Sequence, residues 1–258
     1  MFAKQYITTK KQLQAVPISE RWQYYLDRGL LRDITVFSDN DDPMVQREEI
    51  ERSGILCEPF WDDTGAQLDN EGKAFQRYRQ KYPDFDISVR QKTLERLCEA
   101  QRLFGSHAKI VIKAAYRPIS VQRDVFEAEL KIAKQVHPGW SDQQVREYLL
   151  EYVTDPDIYL PPHASGGTVD IILLNPSTNK VLDMGVPVNT IDDRSWVTNT
   201  RGLNQQQKDN RDLIRQTMLQ AGFANLASEW WHYSYGDQRW AVFYNKAQAL
   251  YSSPERLQ

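Results

Sequence analysis

A single α+β domain is what this sequence predicts, on three observations. Two β-branched runs, KIVIKAAYR at 109–117 and TVDIILL at 168–174, read as buried strands and alternate with segments of helical periodicity. No internal repeat, low-complexity tract or linker divides the 258 residues. A content of 41% hydrophobic and 11% aromatic residues is enough to fill one sizeable core.

The elements follow in chain order. Residues 1–62 carry a short apolar run from Ile34 to Phe37, the acidic turn SDNDDP, and then Cys57, Pro59, Phe60 and Trp61, a pattern that fits strands broken by loops. Helix is expected from Gly72 to Gln80, stopped by Pro83; Ser88 with Gln91 then forms a capping-box pattern ahead of Leu94, Leu97, Cys98 and Phe104, and Gly105 ends that helix. Lys109 to Arg117 is the first clear strand, and Pro118 fixes its end, so Arg117 sits at a strand terminus. Two helices follow as an insertion at about 120–155. One runs from about Ser120 to Val136; the second, opened by Ser141 with Gln144, shows Val145, Tyr148, Leu149, Tyr152 and Val153 at i, i+3, i+4, i+7 and i+8. The proline-bounded loop LPPHASGG leads into the strand Thr168 to Leu174, with a hairpin turn at Asn175 to Asn179 and a returning strand at Val181 to Met184. Residues 189–202 are polar and irregular, long enough for a functional loop or lid. A helix from Asn204 to Ala221 ends at Gly222, and two strand candidates close the chain, Glu229 to Tyr235 and Trp240 to Tyr244.

Composition excludes several function classes. The net charge of -3 is small and the cations are scattered, which argues against a nucleic-acid footprint. No apolar run approaches the roughly 18 residues needed to span a bilayer, and the start MFAKQYITTKKQLQ lacks the apolar core of a signal peptide, so a cytoplasmic protein without a membrane partner is expected. Cys57 and Cys98 make no disulfide framework, and Cys98 is expected to pack in a helix.

The chemistry gathers around SEWWHY at 228–233, in a chain with four histidines. Glu229 and His232 lie among aromatic rings that tend to bury them, and a buried charge or imidazole is costly without a partner. A divalent metal is one such partner. A catalytic zinc takes three protein ligands and leaves a fourth position open, and His163, Asp170 and His232 supply two nitrogens and a carboxylate, His163 in a loop made pliable by Gly166 and Gly167. Glu229 is then free to move a proton between water and a leaving amine. Residues three apart on a regular strand point to opposite faces, so a bend or bulge is expected between Glu229 and His232. Arg117, a permanent cation, is placed to stabilise a developing oxyanion. Each signal is weak alone: a histidine beside aromatic rings is more often a hydrogen-bonded core residue, an arginine before proline is more often salt-bridged at the surface, and Trp230 and Trp231 read as core or pocket wall. His107 and His137 sit at helix ends with no carboxylate at useful spacing.

The segments AYRP (115–118), PPHASGGTVDIILL (161–174), LDMG (182–185) and the stretch 210–241 resemble, in this order, the zinc-dependent D-alanyl-D-alanine dipeptidases of peptidase family M15. The resemblance implies an α+β fold with a central antiparallel sheet flanked by helices, as in zinc D-Ala-D-Ala peptidases. It implies one zinc per chain on His163, Asp170 and His232, Glu229 as catalytic base, Arg117 as transition-state stabiliser, and a small D-amino-acid dipeptide of the cell-wall type as substrate. Asn189, Tyr116 and Trp231 are the candidates for contact with it. Three departures bear on specificity. An acidic residue expected three positions before the arginine is Ala114 here, an acidic residue after LDMG that would meet the substrate ammonium is Asn189, and a serine near the first histidine gives way to Pro161 and Pro162. The competing readings are a carboxypeptidase or endopeptidase acting on longer peptidoglycan peptides, and a non-catalytic module that keeps the zinc.

Overall fold

The computed structural model describes residues 2–39, 41–62 and 69–257; the expected acidic turn at 38–43 includes Asn40, which lies outside the described residues. The centre of the fold is a five-stranded sheet. Its strands are β1 (Leu56–Cys57), β2 (Lys109–Ala114), β3 (Thr168–Leu174), β4 (Ala224–Leu226) and β5 (Glu229–Ser234), in the spatial order β1-β2-β3-β5-β4. The pair β1/β2 is parallel and the other three pairs are antiparallel, so the sheet is essentially the antiparallel one expected. All seven residues of β3 are buried, which is why it reads as a continuous apolar run rather than an alternating one. Asp170 is the single charge in that run.

Helices cover the sheet: α1 (Asn70–Lys81), α2 (Gln91–Phe104), α3 (Ile119–Val136), α4 (Asp142–Leu149), α5 (Gln205–Gln220) and the short α6 (Gln238–Phe243). Four begin at side-chain caps: Asp69 accepts from Gly72 N, Asp237 accepts from Trp240 N, and Ser141 with Gln144 and Asn204 with Gln207 form capping boxes. The main core unites both faces, with Leu97, Phe104, Ile171, Leu173, Ile214 and Phe223 fully buried. A second, smaller cluster joins Ile7, Leu30 and Leu31 of the N-terminal region to Val242 and Phe243 of α6.

Four expectations are corrected, and a fifth, the loop at 189–202, is sharpened. Residues 1–62 contain helices as well as short strands, among them Lys10–Ala15, Arg28–Arg32 and Arg47–Arg52. Trp240 to Tyr244 belongs to a helix: the Asp237 side chain accepts from Trp240 N at 2.8 Å and starts α6, where an apolar run this short has no period of its own. Val181 to Met184 is not a strand beyond one bridge from Val181 to Leu174, because Asp183 accepts from Gly185 N and Gly185 turns at φ 86°. Ser88 does not cap α2; it pairs in register with Gln46, and the helix starts past Arg90 without a side-chain cap. The 189–202 segment is fastened rather than free. Arg211 of α5 donates to the carbonyls of Met184 at 2.7 Å, Arg194 at 2.9 Å and Trp196 at 3.2 Å, and burial pulls its guanidinium down to about 10. Trp196 itself is fully buried.

The glycines before β3 serve close packing. Gly166 adopts φ 76°, and a Cβ on Gly167 would stand 2.0 Å from the carbonyl oxygen of Tyr235. Gly167→Ala is therefore expected to cost about 2–3 kcal/mol of unfolding free energy in urea titration, the range of overpacking; a loss under about 0.5 kcal/mol, ordinary for a surface change, would refute this reading of the turn.

Candidate metal centre

Register builds the centre. In the sheet Asp170 lies directly opposite His232 on one side and Ala114 on the other, and cross-strand neighbours in an antiparallel ladder share a face. His163 arrives from the 3₁₀ turn Pro162–Ser165, whose entry is set by Pro161 and Pro162. That turn is tied to the end of β2, since Arg117 N donates to the His163 carbonyl at 3.2 Å. The expected distortion of β5 is present: Asn225 pairs with Tyr233, but the next residue, Leu226, pairs with Glu229, so a bulge takes up the residues between. It brings Glu229 Oε2 to 3.5 Å from His232 Nδ1.

The donor atoms of His163, Asp170 and His232 all lie within 4.8 Å of one another, and all three residues are buried. Their hydrogen bonds say which atoms face inward. His163 Nδ1 lies 2.8 Å from the Ala115 carbonyl, which can only accept, so Nδ1 carries the proton and Nε2 presents its lone pair. That Nε2 stands 3.2 Å from Asp170 Oδ2, and His232 Nδ1 stands 3.1 Å from Asp170 Oδ1, an oxygen with no hydrogen-bond partner among the described residues. The lone pair of His163 Nε2 thus faces a buried carboxylate, a contact that a cation between the two would relieve. Two imidazoles and a carboxylate with no thiol suit zinc, and the donor set fits that ion.

Electrostatics separates the two carboxylates. Burial by itself would raise Asp170, but His163 and His232 overcome it and hold the group well below the usual carboxylate range. Burial lowers His232 to about 4, against the opposing pull of Asp170, so the ring is neutral at pH 7 and competent as a ligand. Glu229 goes the other way: burial and then the Asp170 charge push it well above its ordinary value, while Arg117 and Arg239 moderate the rise. A buried carboxyl with enhanced proton affinity beside an ionised one is the arrangement that divides acid–base work between two groups.

Arg117 is held rigidly. It donates to Gln122 Oε1 at 2.8 Å, forms a short ion pair with Glu71 of α1, and reaches to 3.9 Å from Asp170. Glu71 is the carboxylate that Ala114 does not provide; burial raises it to about 6, with Arg117 drawing it down. Asn189 adopts φ 64° and donates to Asp69 at 2.8 Å and Glu71 at 3.5 Å, so the amide stands beside two acids.

The pocket over the centre is lined by Asn189 and Trp231, as expected, but not by Tyr116. The half-buried Tyr116 departs from the site residues; its ring lies 6.3 Å from that of Phe85. Four charged lining groups were not anticipated: Asp69, Glu71, Glu129 and Arg239. Arg239 in the first turn of α6 is buried, and its Nε has no hydrogen-bond partner among the described residues. An arginine two residues after a capping aspartate was the only signal for it. His107 and His137 stay out; His137 stacks on Trp140.

The sequence model of the family described as D-ala-D-ala dipeptidase, peptidase M15, matches residues 76–252. A D-alanyl-D-alanine dipeptidase of Synechocystis is 30% identical over 158 residues, covering 54% of this chain and 64% of that protein. The enzyme of the same name from Enterococcus faecalis is 33% identical over 76 residues, 30% of this chain and 37% of that protein. The chain thus matches less than two thirds of the length of these relatives. A solved structure of a zinc-bound mutant of a vancomycin-resistance D,D-pentapeptidase overlaps with a TM-score of 0.38 and 15% identity, over 68% of this chain and 86% of that chain.

Removing a ligand should remove the metal. His163→Ala and His232→Ala are each expected to weaken zinc retention by more than the roughly 10–100-fold that loss of an outer-shell partner costs, whereas Glu229→Ala keeps the ion. Metal analysis after dialysis against a weak chelator reads this; full zinc in both histidine variants would sink the ligand set.

Proposed function

This chain belongs to the D-Ala-D-Ala dipeptidase family of peptidases, M15, and from that premise we propose that it is a zinc-dependent dipeptidase acting on D-Ala-D-Ala or a related short D-amino-acid dipeptide. The observation that carries the reading is the inward-facing set of His163 Nε2, Asp170 and His232 Nδ1, with a proton-avid carboxyl, Glu229, 3.5 Å from the last of them. When bound there, a zinc ion would acidify water and polarise the scissile carbonyl. Everything else is work for the chain's own side chains.

Glu229 takes the proton of the attacking water on its carboxylate and returns it to the departing amine nitrogen; its raised proton affinity suits both halves of that exchange. Arg117 offers a guanidinium to the carbonyl oxygen as negative charge develops on it. Because Gln122 and Glu71 already fix its orientation, little reorganisation is needed at the moment of reaction. His163 is kept in the ligating tautomer by the Ala115 carbonyl. Trp231 and Leu226 supply apolar wall for small side chains.

Recognition of a free dipeptide needs a negative group for the ammonium. Asn189 alone would supply only a neutral amide, but Asp69 and Glu71 of the α1 entrance bring carboxylates to the same place. Arg239 is a cation within the same pocket and suits the carboxylate end. A zwitterion of two residues therefore fits the charges better than an N-blocked or longer peptide.

Three measurements test the reading. Free D-Ala-D-Ala should be hydrolysed at least about 10–100-fold better, in kcat/KM, than its N-acetyl form, since a lost charge-assisted hydrogen bond costs about 1.5–3 kcal/mol; equal or better turnover of the blocked peptide, or of a pentapeptide, would remove the dipeptidase assignment. Asp69→Asn keeps a cap-competent side chain and should raise KM several-fold with kcat little changed. Glu229→Ala, zinc retained, should lower kcat by at least about 10²-fold.

A further inference from the structure

Lys113 is a second buried charge with no part in the metal centre. It is the interior lysine of KIVIKA, and the β2/β3 register shifts between Ile112 and Ala114, so Lys113 is the extra residue of a bulge. Only 7% of the residue is exposed. Its Nζ lies 5.5 Å from the centre of the Phe60 ring, and no carboxylate among the described residues pairs with it, although fourteen other lysines and arginines among those residues do find one within 4.0 Å. A ring face is only a weak partner for an ammonium that opens on a cleft.

Lys113 lines a cleft of about 390 Å³ together with Phe60, Ile172, Met184, Val186 and Trp230. None of these residues lines the pocket over the metal centre. The single acid at this cleft, Asp183, is exposed and already holds Gly185 N–H at 2.8 Å and the Gln207 amide at 2.8 Å. In the same wall the indole N–H of Trp230 is buried without an acceptor among the described residues. The cleft thus offers apolar surface, one unpaired cation and no free anion, within the size range of small-molecule sites.

We propose that this cleft binds a small aliphatic monocarboxylate, its carboxylate on Lys113 Nζ and its chain against Phe60, Ile172, Met184 and Val186. One ammonium matches one singly charged carboxylate; a phosphate dianion would call for a second cation or a cluster of backbone donors. The apolar wall requires a tail, which excludes acetate-sized anions as good ligands. The site stands apart from the proposed hydrolysis, and its binding readouts do not depend on it.

Calorimetric titration of the zinc-loaded full chain with octanoate, 1-octanol and acetate reads the proposal. Octanoate should bind saturably at one site per chain, and octanol and acetate at least about tenfold more weakly, the loss expected when a charge-assisted contact or a buried apolar chain is removed. Lys113→Met, which keeps the stem and removes the charge, should weaken octanoate at least about tenfold while leaving zinc content and dipeptide turnover unchanged, a check that the variant is folded. Octanol binding as tightly as octanoate, unchanged octanoate affinity in the variant, or no saturable octanoate binding at millimolar concentration would each overturn it.

Discussion

The ionised carboxylate of Asp170 in the middle of a fully buried strand is the constraint around which the fold is arranged. A lone carboxylate in an apolar sheet is unstable by several kcal/mol unless it is compensated, and the compensation here comes from both sides of the ladder and from a separate turn. The register of β5 places His232 opposite it, and the Arg117 N–H and the Ala115 carbonyl hold the His163 turn against the end of β2. The lone pair that His163 Nε2 turns towards Asp170, with His232 beside the same carboxylate, makes the cluster a candidate cation site rather than a closed hydrogen-bond network.

The same charge sets its neighbours. With Asp170 ionised, a second carboxylate nearby is electrostatically disfavoured, and Glu229 responds by holding protons more strongly. Two acids a few ångströms apart therefore acquire different chemistry from environment alone. The bulge in β5 is what makes that proximity reachable, since a regular strand would send Glu229 and His232 to opposite faces.

Much of this was legible in the chain. A single aspartate in TVDIILL, and a glutamate and histidine amid tryptophans, stand out because apolar context gives a polar group no reason to be there other than a partner. The two main strands and the long helices were legible as well, because their periods extend over enough residues to be unambiguous and Ser141 and Asn204 cap where expected. Short elements were not: Trp240 to Tyr244 has no length in which strand and helix patterns diverge, and only Asp237 decides it. Tyr116 illustrates a different gap, for adjacency to Arg117 in sequence does not carry a side chain into the same pocket.

The partners of Arg117 were the least legible part, for a reason of distance rather than of composition. Glu71 lies 46 residues upstream, on a helix whose sequence shows only that it is a helix, and contact between the two depends on how α1 packs across the sheet. Ala114 and Asn189 look like losses of negative charge when each is considered in its own segment. In space, Asp69 and Glu71 stand beside Asn189 and Glu71 pairs with Arg117, so charge missing from the strand end is returned by the N-terminal part of the chain. A binding site conserves the field at a point more strictly than the position that supplies it, and a field can be supplied from any element that reaches the point. The start of α1 is therefore part of the pocket's electrostatics, as much as the strands that carry Asp170 and His232.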